Sequence, residues 1–137
     1  MQSLHTICYI SNSKENLSED EMEDLFKTSS IKNNESQITG ILLHEMGRFF
    51  QVLEGEEKLV NDLFYKIRKD SRHGNIYVVY DQKSHFPVFK GYNSKFNVVK
   101  SYDDLNRIKT YLEKSASNST RDKIARLLTP FLMLKEA

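Results

Sequence analysis

The sequence predicts an α+β sandwich: a mostly five-stranded sheet with two helices on one face, followed by two more helices at the C-terminus. Three observations predict it. β-rich stretches recur five times, helical apolar spacing fills the first and third gaps between them, and a glycine turn joins the second stretch directly to the third.

Leu4 to Ser11 alternates, with Leu4, Thr6, Cys8 and Ile10 on one face and His5, Ile7, Tyr9 and Ser11 on the other. Tyr9 therefore projects from a sheet. Ser18-Glu19-Asp20-Glu21 is a capping box, and Met22, Leu25 and Phe26 behind it place an amphipathic helix over about Ser18 to Ile31, with Asn33 and Asn34 just past its end. Gln37 to His44 reads as the second strand, Glu45-Met46-Gly47 as a tight turn in which glycine supplies positive φ, and Arg48 to Glu54 as the third. Leu59, Val60, Leu63, Phe64 and Ile67 mark a second helix reaching about Lys69, and Asp70-Ser71-Arg72-His73-Gly74 forms its exit loop. Ile76 to Tyr80 supplies a fourth strand, and Val88 to Val98, interrupted by Gly91, a fifth. The order β-α-β-β-α-β-β matches a ferredoxin-like sheet with one extra strand.

Residues 1–100 thus make the main domain and 101–137 an appended segment. In that segment Asp103 to Lys114 and Thr120 to Leu134 have helical patterns, separated by Ser115-Ala116-Ser117-Asn118-Ser119. Ile124, Leu127, Leu128, Phe131 and Leu132 form a broad apolar stripe, and Pro130 should kink the last helix or end it early.

Composition removes several function classes. Twenty basic against nineteen acidic side chains leave a net charge of +1, which gives no global electrostatic case for nucleic acid or a membrane surface. Cys8 is the single cysteine and cannot pair internally, no apolar run has membrane-spanning length, and the N-terminus does not resemble a secretory signal, so a soluble cytoplasmic protein is expected. His5, His44, His73 and His85 lie on separate elements without metal-ligand spacing, so no metal is expected. Glycine-rich phosphate loops are missing from the sequence, which argues against a Rossmann or P-loop mode of cofactor binding.

The stretch Arg48-Phe49-Phe50-Gln51-Val52-Leu53-Glu54-Gly55 poses a chemical question. Gln51 sits where a buried strand should carry only hydrocarbon, and burying an amide without hydrogen bonds costs about 1–3 kcal/mol. Either the protein or a bound ligand must satisfy it.

At these residues the chain resembles the BLUF domains, sensors of blue light using FAD, over about residues 1–100. The resemblance rests on Tyr9 in mid-strand, Asn33 ahead of Ile38-Thr39-Gly40, Gln51 within its motif, and the later Ile67-x-x-Asp70-x-Arg72-His73. The separations of 24 residues from Tyr9 to Asn33 and 18 from Asn33 to Gln51 also resemble the family's.

The resemblance implies a blue-light photoreceptor, not an enzyme, with FAD bound non-covalently and FMN or riboflavin as alternatives. Asn33 would hydrogen-bond the pyrimidine edge of the flavin, and Gln51 would bridge the Tyr9 phenol to N5 and O4. Light would move an electron and a proton from Tyr9 by way of Gln51, and the rearranged amide would give a red-shifted state. Asp70, Arg72 and His73 would touch the ribityl and phosphate part, with Lys66 or Lys69 adding charge. Ile31, Leu53 and Ile67 are candidate apolar walls. Elementary chemistry agrees, because a flat apolar ring with one polar edge requires an apolar slot and a few placed amides. A carboxamide carries donors and an acceptor on one end, so it can hold two hydrogen-bond patterns.

Where the family often shows Phe-x-x-Trp-x-Met, this chain has Phe89-Lys90-Gly91-Tyr92-Asn93-Ser94. Tyr92 and Ser94 are therefore the expected relay residues, Tyr92 as a second electron donor and Ser94 as a hydroxyl partner of Gln51. Output would pass to an unknown downstream protein or through a homo-oligomer. Two rivals remain: a flavin-dependent redox enzyme, for which the chain offers no evident acid–base pair, and a colourless ferredoxin-like regulatory binding module. An acylphosphatase-like version of the latter would require an arginine–asparagine constellation that Cys8-Tyr9-Ile10-Ser11 lacks.

Overall fold

In the computed structural model, which describes residues 3–84, 87–93, 95–115 and 118–136, the first unit runs β1 (Leu4–Ser13), α1 (Glu19–Glu35), β2 (Thr39–Glu45), β3 (Arg48–Glu56), α2 (Glu57–Arg68), β4 (His73–Lys83), α3 (Lys90–Asn93) and β5 (Phe96–Val99). The strands form one sheet in the order β4-β1-β3-β2-β5. This is the expected α+β, ferredoxin-like arrangement, with the extra strand beside β2.

The capping box forms as the sequence requires. The Ser18 hydroxyl accepts from the Glu21 N–H at 3.1 Å, and the Glu21 carboxylate accepts from the Ser18 N–H at 3.2 Å. The C-terminus of α1 departs from expectation: the helix continues past Ile31 to Glu35, so Asn33 and Asn34 lie in its last turn. Nothing between Ile31 and Glu35 breaks a helix, and the stop comes from Gln37 at φ 58. Its N–H bonds to Asn34 O at 3.1 Å and that of Ile38 to Asn33 O at 2.8 Å, the two bonds of a Schellman motif. A glutamine in the left-handed position gave no sequence signal.

Strand alternation divides the sheet into two faces. Ile7, Tyr9, Leu42, Phe49 and Leu53 point to the helices and pack with Leu25, Phe26, Val60 and Phe64 in one core cluster. Phe50, Val52 and Glu54 take the opposite face and are also buried. Tyr9 is directly opposite Gln51 in the antiparallel β1–β3 pair. On its other side β1 pairs Cys8 with Tyr80 but Tyr9 with Val78, so Val79 is bulged out beside Tyr9.

Met46 and Gly47, at φ 51 and 73, form the two-residue turn between β2 and β3, so methionine shares the positive φ that glycine alone was expected to supply. Gly40 at φ 139 is the tighter constraint. A Cβ there would lie 1.9 Å from the Val52 carbonyl oxygen across the strand pair.

Two further expectations change. The exit loop after α2 is shorter, because His73 and Gly74 already belong to β4. The strand expected over 88–98 is a turn at Val88-Phe89, the short α3 containing Gly91, and a β5 that begins only at Phe96. Hydrogen bonding explains it: the backbone donors of Val88 and Phe89 are taken by the Glu54 carboxylate, not by a strand ladder.

Val99–Ala137 forms a second compact unit. α4 (Tyr102–Lys114) starts at Ser101, whose hydroxyl accepts from the Asp104 N–H at 3.1 Å. It packs with α5 (Ser119–Glu136), and Leu105, Ile108, Leu112, Ile124, Leu128 and Phe131 are buried. α5 runs on through Pro130 instead of ending early. Pro130 and Arg126, the residue whose carbonyl loses its donor, both lie on the exposed side, where water can replace the missing bond. Among the described residues no helix is long and apolar enough to cross a membrane.

Candidate functional site

A cavity of about 460 Å³ opens over the helix-bearing face of the sheet, between α1 and α2. Helical periodicity builds its walls. Leu25, Ser29, Asn33 and Ser36 follow one face of α1, and Leu59, Leu63 and Ile67 one face of α2. Tyr9, Leu42, Phe49 and Gln51 make the floor, and the exposed Lys32, Glu35, Asp62 and Lys66 stand at the rim. The size lies within the usual range for small-ligand sites.

Gln51 is 4 % exposed and Tyr9 3 %, and the Gln51 Nε2 donates to the Tyr9 hydroxyl. The amide oxygen of Gln51 is left without a protein partner among the described residues. The Asn33 carboxamide, 3 % exposed, likewise has none. Two buried amides facing one cavity without protein partners call for a ligand with a polar edge.

Burial pushes the Tyr9 phenol far above its ordinary value; the bond from Gln51 opposes this, while Asp70 and Cys8 reinforce it. The phenol therefore keeps its proton at any physiological pH. Its ring leans on Phe64 at 5.4 Å between centroids and on His73 at 6.1 Å. His73 Nε2 donates to Ile67 O at 2.7 Å, since a carbonyl can only accept, and Nδ1 meets the Ser11 hydroxyl at 2.6 Å.

Asp70 and Arg72 are paired with each other. The guanidinium reaches the carboxylate through Nη2 at 2.6 Å and Nε at 3.0 Å, and the Arg72 N–H adds a bond at 2.9 Å. The Arg72 side-chain bond first, against partial burial, holds the Asp70 carboxyl below its ordinary value. The fork that could meet a phosphate is thus largely engaged by Asp70.

Tyr9, Asn33, Gln51, Ile67, Asp70, Arg72 and His73 are brought together around the cavity. Leu53 is not among its lining side chains: it lies beneath, fully buried in the core cluster. Ile31 is 49 % exposed and makes no wall, because the longer α1 turns it outward. Of the two residues flanking Asn33, Lys32 lines the cavity, whereas Asn34 Oδ1 accepts from the Phe96 N–H at 2.8 Å. Tyr92 is half-buried in α3 and does not line the cavity; Ser94 lies outside the described residues. Leu25, Ser29, Leu42 and Phe49 were not expected as site residues. Steps of four back from Asn33 would have found the two on α1.

The model of the family described as sensors of blue-light using FAD matches residues 4–95. The chain is 36 % identical over 78 residues to the photoactivated adenylate cyclase subunit beta of Euglena gracilis, covering 57 % of this chain and 9 % of that one. It is 36 % identical over 73 residues to the blue light- and temperature-regulated antirepressor BluF of Escherichia coli K12, covering 53 % and 18 %. The chain thus spans less than a fifth of the length of these relatives. Among solved structures, the BLUF domain of BlrP1 superposes with a TM-score of 0.77 at 28 % identity, over 96 % of this chain and 91 % of that one. A Klebsiella pneumoniae BlrP1 complex with calcium and cyclic diGMP gives 0.77 at 27 % identity, over 95 % and 34 %.

Proposed function

The chain belongs to the BLUF family of blue-light sensors, and from that premise we propose that it binds FAD non-covalently between α1 and α2 and uses Tyr9 and Gln51 as its photochemical pair. The observation that carries the reading is the buried Gln51–Tyr9 hydrogen bond at the floor of a cavity that both residues line.

A bound flavin supplies blue absorption and, once excited, a strong one-electron oxidant. Tyr9 is the electron donor. Because its phenol is held protonated, losing an electron also means losing the proton; the Gln51 Nε2 donates to the hydroxyl, so the amide can take that proton only on its oxygen, after it has turned round. The electron and the proton would both return to Tyr9, and no covalent bond to the chain would form. Tyrosine can donate as well as accept, so Gln51 has two stable patterns: Nε2 to Tyr9 with the oxygen facing the cavity, or the reverse. Exchange between them is the switch. Asn33 holds the ligand's polar edge, while Leu25, Leu63 and Ile67 supply apolar walls.

The change then passes along the chain through α3 and β5 into the helices of 99–137, which alter contacts with a downstream protein or a second copy of the chain in the cytoplasm. An unchanged size distribution in dark and light would leave only the downstream protein.

An absorption spectrum before and after blue light tests the proposal. A flavin band that shifts to the red and recovers in darkness is expected. A yellow protein that never shifts but turns over NAD(P)H would favour the redox-enzyme rival. Asn33→Ala should weaken FAD binding about tenfold, since losing one or two net hydrogen bonds costs about 1.5 kcal/mol. Fluorescence titration of the flavin-free protein measures this, and an unchanged Kd would assign the polar edge to another residue.

A further inference from the structure

Glu54 is a buried carboxylate that the photochemical pair does not use. It lies three residues along β3 from Gln51, on the opposite face of the sheet, and is 1 % exposed. Its Oε1 accepts from the Phe89 N–H at 2.7 Å and from the Thr39 hydroxyl at 3.1 Å, and its Oε2 accepts from the Val88 N–H. Two consecutive backbone donors are thus aimed at one buried carboxyl group. The turn at 88–89 joins no strand ladder among the described residues, so Glu54 does for these two backbone donors what a neighbouring strand does elsewhere.

The turn that Glu54 holds leads directly into the output segment. The Tyr92 N–H bonds to Phe89 O at 3.0 Å. Further along, Phe96 is tied to Asn34 at 2.8 Å and the Asn97 side chain to Gly40 O at 3.2 Å. The stretch from Val88 to Asn97 therefore hangs on β3, α1 and β2 by identifiable bonds, and Glu54 supplies those at its entrance.

We propose that Glu54 is a positioning residue that fixes the turn at Val88-Phe89, and with it Tyr92, to the strand bearing Gln51, so that rearrangement at Gln51 moves the segment with the strand. A pleated strand joins its two faces rigidly, which gives the coupling a mechanical basis. The coupling rests on the photoreceptor reading above, whereas the anchoring does not.

Burial pushes the Glu54 carboxyl up to about 7 from its ordinary 4.5, against the opposing bonds from Phe89, Val88 and Thr39. The residues that pair with it or bond to it, Thr6 and Thr39 across the strand pairs and Val88 and Phe89 from the turn, carry no charge. The closed form therefore holds a proton more tightly than an opened, solvated Glu54 would. Protonation favours the closed form, so the stabilisation is complete below about pH 4.5 and is lost as pH rises towards 7.

The test is residue-resolved amide exchange on the flavin-loaded full chain, in darkness and under blue light. Glu54→Gln keeps an oxygen for Phe89 and Thr39 but puts an NH₂ against the Val88 donor. Exchange at Val88 should rise at least tenfold and at Phe89 much less, the light-induced change over 88–93 should disappear, and the red shift should persist. Glu54→Ala should free both amides, and Thr39→Val serves if that variant does not fold. In the wild type, the opening constant at these amides should rise by up to tenfold per pH unit between about 4.5 and 7, a slope absent in Glu54→Gln. Wild-type protection in Glu54→Gln would overturn the proposal, and so would lost protection with an intact light response. Absence of any red shift in the wild type would sink the photoreceptor reading instead, while the dark comparison would still decide the anchoring.

Discussion

Tyr9→Phe should leave the protein yellow and abolish the red shift proposed for it, and Gln51→Leu should do the same. In the first variant the ring can still pack on Phe64 and the apolar floor is intact, so flavin should stay bound, while the hydroxyl that bonds to Gln51, and with it the proposed electron and proton donor, is gone. Burial holds that phenol neutral, so no pH adjustment can replace the proton acceptor beside it. In the second variant the acceptor is gone and the Tyr9 hydroxyl loses its partner, at a cost of about 1–3 kcal/mol in stability. Tyr92 does not line the cavity and so does not rescue either variant as an alternative donor. Light-minus-dark difference spectra at equal flavin content measure the outcome, and a normal red shift in either variant would remove the role given to that residue.

Gly40→Ala should be among the most destabilising single substitutions in the chain. Position 40 has φ 139, open in practice only to glycine, and the added methyl would start 1.9 Å from the Val52 carbonyl oxygen. That oxygen belongs to the backbone of the next strand and cannot rotate aside, so the β2–β3 pair must separate where Gly40 faces Leu53. Backbone strain and overpacking together give about 3–5 kcal/mol, a large share of the ~5–15 kcal/mol that holds a domain of this kind. Urea unfolding followed by far-UV circular dichroism would show the midpoint falling sharply, and an unchanged midpoint would contradict this reading of the β2–β3 approach.

The sequence was most legible where one local rule decides the outcome. Alternation grouped Tyr9 with Ile7 on one face of β1, the capping box started α1 at Ser18, and the apolar spacing of Leu59 to Ile67 drew α2. It was least legible where a distant partner decides. Gln37 ends α1 without being glycine or asparagine, and Val88 to Val98, Gly91 apart, reads locally as a strand, whereas Glu54, thirty-four residues before Val88, takes the Val88 donor. The site divided in the same way. Motif and spacing singled out Tyr9, Asn33 and Gln51, whereas the pairing of Arg72 with Asp70 and the outward turn of Ile31 depend on where α1 and α2 stop.

The alternation of β3 also has a practical use. Odd positions from Phe49 to Leu53 point to the helix-bearing side and even positions from Phe50 to Glu54 to the other. In the proposed photoreceptor, substitutions at odd positions should retune the colour, and substitutions at Glu54 should retune how firmly the turn at Val88-Phe89 is held. Libraries drawn from the two sets can be screened separately, by spectrometer and by binding assay, before being combined in one gene.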